Sequence, residues 1–307
     1  MTMMIDVSDP IELHLARDGA VTCKNYTELG YDRLARGVYG HLPADVDDYY
    51  DARRQLFLVR ARALLAPYAG RDIVLYGPTA LQALGVALPS HLEDWDQYHI
   101  LVPDTGYRPL REDVVTHRCH SLGPVRVING LPVLNPVDHW LQLADATDDE
   151  LIEVGDGFVR LRHPLMTLDS IKRRLAELSG ARNVARVRRL VRWVAPGTES
   201  LYETRTRLPL IHGGLPAPRV NCPVHAPSGT VYHLDMGYEL ERVGVEYDGS
   251  VHVGDVRQMN IDATRRRDIQ DAGWIIYTVT AEQLKNPAEF VRPVERSLAM
   301  RHASARR

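Results

Sequence analysis

The sequence predicts an α/β protein of about two domains. Three observations carry that expectation. The 307 residues exceed the ~100–200 of one ordinary domain. A Pro-Gly break, Ala195-Pro-Gly-Thr198, interrupts the chain. Beyond it the pattern runs helix, three strands, helix, strand, helix. The expected layout is a small unit over 1–45, an α+β domain over 46–195 and an α/β module over 196–307.

In the first unit, Ile11, Leu13 and Leu15 precede Gly19, and Tyr31–Tyr39 reads as a short helix running into a strand. This suits a shortened winged helix. Residues 51–67 are helical, with Leu56, Val59, Ala63 and Leu64 at helical spacing. Ile73–Tyr76 reads as a buried strand, and Thr79–Val86 as a helix stopped by Pro89. Tyr98–Val102 and Val125–Ile128 read as strands, the second closed by Asn129-Gly130. Asn135-Pro136 caps a helix reaching Ala144, and two or three more helices fill 148–194. In the last module Ser200–Leu210 is helical. Val220–Val224, Val231–Tyr238 and Val243–Tyr247 are strands. Asp262–Ala272 is a helix, Trp274–Val279 a strand and Ala281–Met300 a helix.

Apolar residues make up 45% and charged residues 25%, which excludes a disordered or fibrous chain. No apolar run approaches the ~18 residues of a membrane span, so no membrane partner is expected. Residues 1–6 lack the pattern of a signal peptide, and a cytoplasmic protein is expected. Cys23, Cys119 and Cys222 are too scattered for a disulfide framework or a zinc ribbon. The net charge of −3 announces no nucleic-acid binder, but the charge is segregated. Lys172, Arg173, Arg174, Arg182, Arg186, Arg188, Arg189 and Arg192 face one acid, Glu177, over residues 171–193. Two readings stand: solvated helix faces, or a basic face for phosphates.

The chemistry concentrates between His233 and His252. Side chains alternate along a strand, so Val243, Val245 and Tyr247 share one face while Glu246 and Asp248 share the other. Asp235 lies on the preceding strand across a short turn. Three clustered carboxylates repel one another unless a cation lies between them, and all-oxygen ligation suits Mg²⁺ or Mn²⁺. Solvated strand ends are the plainer reading. Glu203, three residues after Ser200, is either part of a capping box or a fourth acid. His252 is a general base or a surface histidine. Arg265 either pairs with Asp262 one turn away or contacts phosphate. Arg266 follows it on the same helix.

Glu246-Tyr-Asp-Gly with His252, followed by Asp262-x-x-Arg265-x-x-x-Ile269-x-x-x-Gly273-Trp274, resembles the very-short-patch-repair-type branch of the PD-(D/E)XK endonucleases. Ser200-Leu-Tyr-Glu203-Thr-x-x-Arg207-Leu and Gly214-Leu-Pro216 fit the same pattern, so the resemblance covers roughly 198–285. It implies a restriction-endonuclease-like mixed sheet flanked by helices, and Mg²⁺-dependent attack on a phosphodiester. On that resemblance Asp235 and Glu246 are metal ligands, Glu203 is the helical acid and His252 the histidine after the third strand. The wider superfamily has Lys two residues after its Glu, where this chain has Asp248. His252 or Arg265 would then take the part of Lys, or the metal would act alone.

Ala35-Arg-Gly-Val-Tyr39, Tyr76-Gly-Pro-Thr-Ala-Leu81, Gly130-Leu-Pro-Val133 and the helix from Asn135 are similar to the antitoxins of AbiE-type, type IV toxin–antitoxin systems. This likeness implies a regulatory front half. The expected function is a metal-dependent DNA endonuclease or nickase. The catalytic set is Glu203, Asp235, Glu246, Asp248 and His252, with Asp235, Glu246 and Asp248 on the metal. Arg173, Arg174, Arg186, Arg189, Arg265 and Arg266 would face DNA. The rival is a non-catalytic, antitoxin-like DNA-binding regulator with a degenerate nuclease fold. A toxin protein or a second copy of the chain joins DNA as an expected partner. His117, Cys119 and His120 form an incomplete ligand set and read as strand packing. Trp95 and Tyr98, near Asp94 and Asp96, read as a loop over the core.

Overall fold

The computed structural model describes residues 14–15, 32–35, 38–40, 49–93, 96–249 and 256–305. It is mixed α/β and falls into two compact units, Met1–Ala146 with Arg174–Val187, and Thr147–Arg173 with Arg188–Arg307.

The first unit holds a small antiparallel sheet of β1 (His14–Leu15), β2 (Asp32–Ala35) and β3 (Val38–Gly40), ordered β1-β3-β2. The short helix expected within Tyr31–Tyr39 is instead β2. Four residues cannot offset helix nucleation, whereas Arg33 and Ala35 find strand partners in Tyr39 and Val38. Most of the expected 1–45 unit lies outside the described residues. Helix α1 (Tyr49–Leu65) follows, then β4 (Val74–Leu75), α2 (Gly77–Ala83) and β5 (Tyr98–Pro103). Next come β6 (Val114–Cys119), β7 (Arg126–Ile128), β8 (Leu131–Val133) and α3 (Pro136–Trp140). The strands form a mixed sheet ordered β6-β5-β4-β8-β7. Asn129 and Gly130, at φ of 53° and 72°, form the two-residue turn between β7 and β8 that the sequence implies. Asn135 Oδ1 accepts the Val137 N–H and caps α3. Asp94 and Trp95, placed by sequence in a loop over the core, lie outside the described residues.

Within this sheet His99 Nδ1 and His117 Nε2 are 2.9 Å apart, and burial lowers the His117 pKa. Cys119 donates to the Val102 carbonyl, as strand packing requires. His139 is fully buried on α3 and accepts the Leu134 N–H, so burial holds its pKa down to about 3. The unfolded chain therefore binds a proton below pH ~6.5 that the folded chain refuses, and the contribution of His139 to stability falls as pH drops from there toward 3. His139→Gln is expected to flatten that dependence between pH 6.5 and 4 in thermal melts. An unchanged slope would contradict the assignment.

The second unit begins with α4 (Asp148–Phe158), capped by a Thr147–Glu150 capping box. The unit boundaries in sequence fall within helix α5 (Leu168–Glu177), after Arg173, and within α6 (Val184–Leu190), after Val187. Then come α7 (Leu201–His212), β9 (Arg219–His225), β10 (Val231–Tyr238), β11 (Val243–Asp248), α8 (Val256–Asp271), β12 (Ile275–Thr280), α9 (Ala281–Leu284) and α10 (Ala288–Ala305). The unit thus extends upstream of the break read at 195–198. Its sheet is ordered β12-β11-β10-β9, antiparallel except for the parallel pair β11–β12.

One core cluster joins Leu210 of α7 and Phe290, Val294 and Leu298 of α10 to Met236, Val243 and Val245. A second joins Ile269 of α8 to Cys222, Val224 and Leu234. Helices therefore cover both faces of the sheet. Leu234 and Met236, two residues apart, belong to opposite clusters, so side-chain alternation breaks at Asp235. Asn221, the β9 residue that the register sets against Asp235, has a left-handed φ of 48°. That local distortion sets Asp235 apart from both apolar faces.

Candidate functional site

The β10–β11 register ends at Met236↔Val245, and Asp235 and Glu246 are the next residues on the two adjacent strands. Asp235 is held there by the Tyr247 N–H, which donates to Asp235 Oδ2 at 2.7 Å. Burial pushes the Asp235 carboxyl up to about 7, against the pull of the Tyr247 N–H, with Glu203 and Glu246 raising it further and Arg265 lowering it. Carboxylates from the neighbouring strand and from a helix thus both act on Asp235.

Glu203 is buried on the first turn of α7. Its backbone N–H donates to Ser200 Oγ at 3.1 Å, and its Oε2 accepts the Glu199 N–H at 3.0 Å. The two readings of this residue are therefore compatible, because a helix-start carboxylate can brace the turn while facing the strand acids. Burial raises its pKa, with the two backbone contacts opposing.

Arg265, projecting from α8, grips Glu246 with both terminal nitrogens: Nη2 to Oε1 at 2.5 Å and Nη1 to Oε2 at 3.2 Å. Nη2 also donates to the His233 carbonyl at 2.9 Å. The main partner of Arg265 is therefore a strand acid 19 positions away, not its helix neighbour Asp262. Arg266 is exposed on the same helix. Asp248 lies at the exposed end of β11. His252 lies outside the described residues. Among the described residues no three His, Cys, Asp or Glu side chains are grouped to hold a metal ion. The structure brings Glu203 and Glu246 close enough to act on Asp235 but does not gather Asp235, Glu246 and Asp248 into a three-ligand group.

The donor chemistry still suits Mg²⁺ or Mn²⁺. Asp235 and Glu246 present hard carboxylate oxygens from adjacent strands, and Mg²⁺ commonly takes one or two carboxylates, with water and substrate phosphate completing its shell. Arg265 already supplies one positive charge there.

The expected DNA-facing arginines divide. Arg174 donates to both Asp138 oxygens at 3.0 and 2.9 Å and to Glu177 at 2.9 Å. Arg186 donates to the Ala144 and Ala146 carbonyls. These two brace the first unit. Arg189 makes a longer, exposed contact to Asp148 at 3.4 Å, and Arg173 is exposed.

One arrangement escaped the sequence. Tyr202 of α7 and Tyr247 of β11 stack with ring centroids 4.7 Å apart and planes 5° apart. The Arg205 guanidinium lies 5.5 Å from the Tyr202 ring and is held by Glu153 at 3.0 and 3.1 Å. Each tyrosine adjoins a candidate acid in sequence, and that adjacency was the available signal.

Known proteins add little to this geometry. The chain is 28% identical over 253 residues to an uncharacterised protein of Mycobacterium tuberculosis, present as MT2308 in strain CDC 1551 and as Rv2248 in strain H37Rv. The match covers 76% of this chain and 87% of each relative. No family model matches. No solved structure matches. Among the described residues no helix is long and apolar enough to cross a membrane.

Proposed function

We propose that the second unit is a divalent-metal-dependent DNA endonuclease or nickase. The observation that carries this reading is the Tyr247 N–H bond that holds Asp235 of β10 beside Glu246 of β11, with buried Glu203 acting on Asp235 from α7. The order of elements supports it: a helix, three antiparallel strands, a helix and a strand parallel to the third. This is the mixed, helix-flanked sheet that the PD-(D/E)XK resemblance implies. Asp235 and Glu246 would hold the cation, which when bound supplies Lewis acidity and lowers the pKa of water. Asp235 is fixed for this by the Tyr247 N–H. Glu203 adds negative charge behind it. Arg265, bonded to Glu246, and exposed Arg266 lie on α8, and phosphate contact is the role they would take. His252, the histidine that the resemblance sets after the third strand, would serve as general base, and Arg173 and Arg189 remain the candidate grip outside the site.

The test is incubation of purified protein with supercoiled plasmid in Mg²⁺, in Mn²⁺ and in EDTA. Relaxed or linear product is expected with either metal and none in EDTA. Intact plasmid throughout would reject the nuclease. A specific observation favours a second reading, a DNA-binding regulator without cleavage: Arg265 holds both oxygens of Glu246, and exposed Asp248 stands where the superfamily has Lys. A gel shift that weakens as salt rises, with no cleavage, would select it. A toxin gene beside this one would favour it further.

A further inference from the structure

We propose that Arg265 is a built-in counter-cation that a divalent metal must displace, and that the released guanidinium then contacts the phosphate of the bound strand. The inference rests on the nuclease reading and adds a coupling between metal and substrate at that site. Its ground is the geometry of one side chain. Arg265 engages both oxygens of Glu246, so a divalent cation ligated by either oxygen would sit against the guanidinium charge while the fork is closed. The third contact, to the His233 carbonyl, holds the guanidinium on the strand that also carries Asp235. Arg265 is half-buried and remains charged at any working pH, so it cannot vacate the site by losing its proton.

Metal binding at Glu246 is therefore opposed by the guanidinium until the side chain moves. Removing Arg265 from Glu246 leaves a cation without its anion at the mouth of the site. A phosphate is the anion that a nucleic-acid strand brings there, and a guanidinium fork fits it as well as it fits a carboxylate. The consequence is linkage. Metal binding frees Arg265 for phosphate, and phosphate binding holds Arg265 away from Glu246, so each event favours the other.

The test compares wild type with Arg265→Gln, and with Arg267→Gln as a control for loss of a nearby exposed charge. Manganese binding is followed by electron paramagnetic resonance without DNA. Arg265→Gln is expected to bind Mn²⁺ about tenfold more tightly than wild type, a factor typical of coupled sites, and Arg267→Gln to change little. Binding of a short DNA duplex is then measured in Ca²⁺ and in EDTA. The Arg265→Gln defect is expected in Ca²⁺ and absent in EDTA, where wild-type Arg265 stays on Glu246. Equal Mn²⁺ affinity in wild type and Arg265→Gln would overturn the coupling while leaving the metal reading intact. An equal gain in Arg267→Gln, or an equal DNA defect in both buffers, would also overturn it. Absence of Mn²⁺ binding in every protein would overturn the coupling and the nuclease reading together. Matching thermal melts for the variants exclude misfolding as the cause.

Discussion

Asp235→Asn is expected to lower metal-dependent cleavage by ~10²–10³-fold, the scale on which one electrostatic group contributes to catalysis, and to raise the melting temperature at pH 8. The two effects share a cause. The folded protein holds the Asp235 carboxyl up at about 7, chiefly through burial, whereas an unfolded chain leaves it near the usual ~4. Between those values the folded state binds a proton that the unfolded state has released. At this group the unfolded state then carries fewer protons, so the contribution of Asp235 to stability falls as pH rises through this window. The loss is complete above pH ~7 and absent below ~4. Asn keeps an oxygen for the Tyr247 N–H and never carries the charge. In EDTA the variant should therefore match wild type near pH 4 and exceed it at pH 8 by roughly 1–3 kcal/mol, allowing for partial exposure. That corresponds to about 5 °C. A variant less stable than wild type at pH 8 would show that the carboxylate itself holds the strands together. One that still cut plasmid at the wild-type rate would remove Asp235 from the chemistry. Stabilisation joined to lost activity is the mark of a group kept at a cost for function.

Much of this site is legible in the sequence because it follows from strand geometry. Alternation along Val243–Asp248 assigns Glu246 to the face opposite Val245, and the short turn after Tyr238 returns the chain beside Asp235. Alternation also groups Asp248 with Glu246, yet Asp248 is exposed at the strand end and does not complete a ligand group. Periodicity fixes a face and says nothing about where a strand stops. The break in alternation at Asp235 was not readable either, because it depends on the φ of Asn221 in the neighbouring strand. Pro132 hid β8: a proline argues against a sheet interior, but its missing N–H is tolerated where it pairs with Val127. The run of basic residues over 171–193 counted charge without direction. Arg174 and Arg186 turn inward to Asp138 and to carbonyls of the turn between α3 and α4, and composition cannot distinguish such a brace from a phosphate grip.

The largest stability effect is expected at Asp156, for a reason that also explains why the Pro-Gly break does not bound the second unit. Asp156 is buried on α4, where its Oδ1 accepts the Ala195 N–H at 2.8 Å. Its Oδ2 accepts Thr204 Oγ1 at 2.7 Å and Arg207 Nη2 at 2.8 Å. Arg207 is also buried and donates in addition to the Trp193 carbonyl. One carboxylate therefore fastens α4, the segment around Ala195 and helix α7 across the Ala195–Thr198 break. Burial alone raises the Asp156 pKa, and Arg207 is the main influence pulling it back. Asp156→Ala leaves a guanidinium buried without its anion, and the expected loss is about 3–5 kcal/mol in denaturant unfolding, as for other broken buried pairs. Replacing both partners, Asp156→Leu with Arg207→Met, removes the stranded charge and should recover most of that loss. If the double variant is as unstable as the single, the hydrogen bonds to Thr204 and Ala195 carry the energy and the ion pair does not. The outcome bears on the site as well. Glu203 and Tyr202 precede Thr204 and Arg207 on the same helix, so an α7 released from Asp156 would lose the placement of Glu203 beside Asp235. Asp156→Ala protein that remains folded at low temperature should then cut poorly, although residue 156 has no contact with the acid cluster among the hydrogen bonds described.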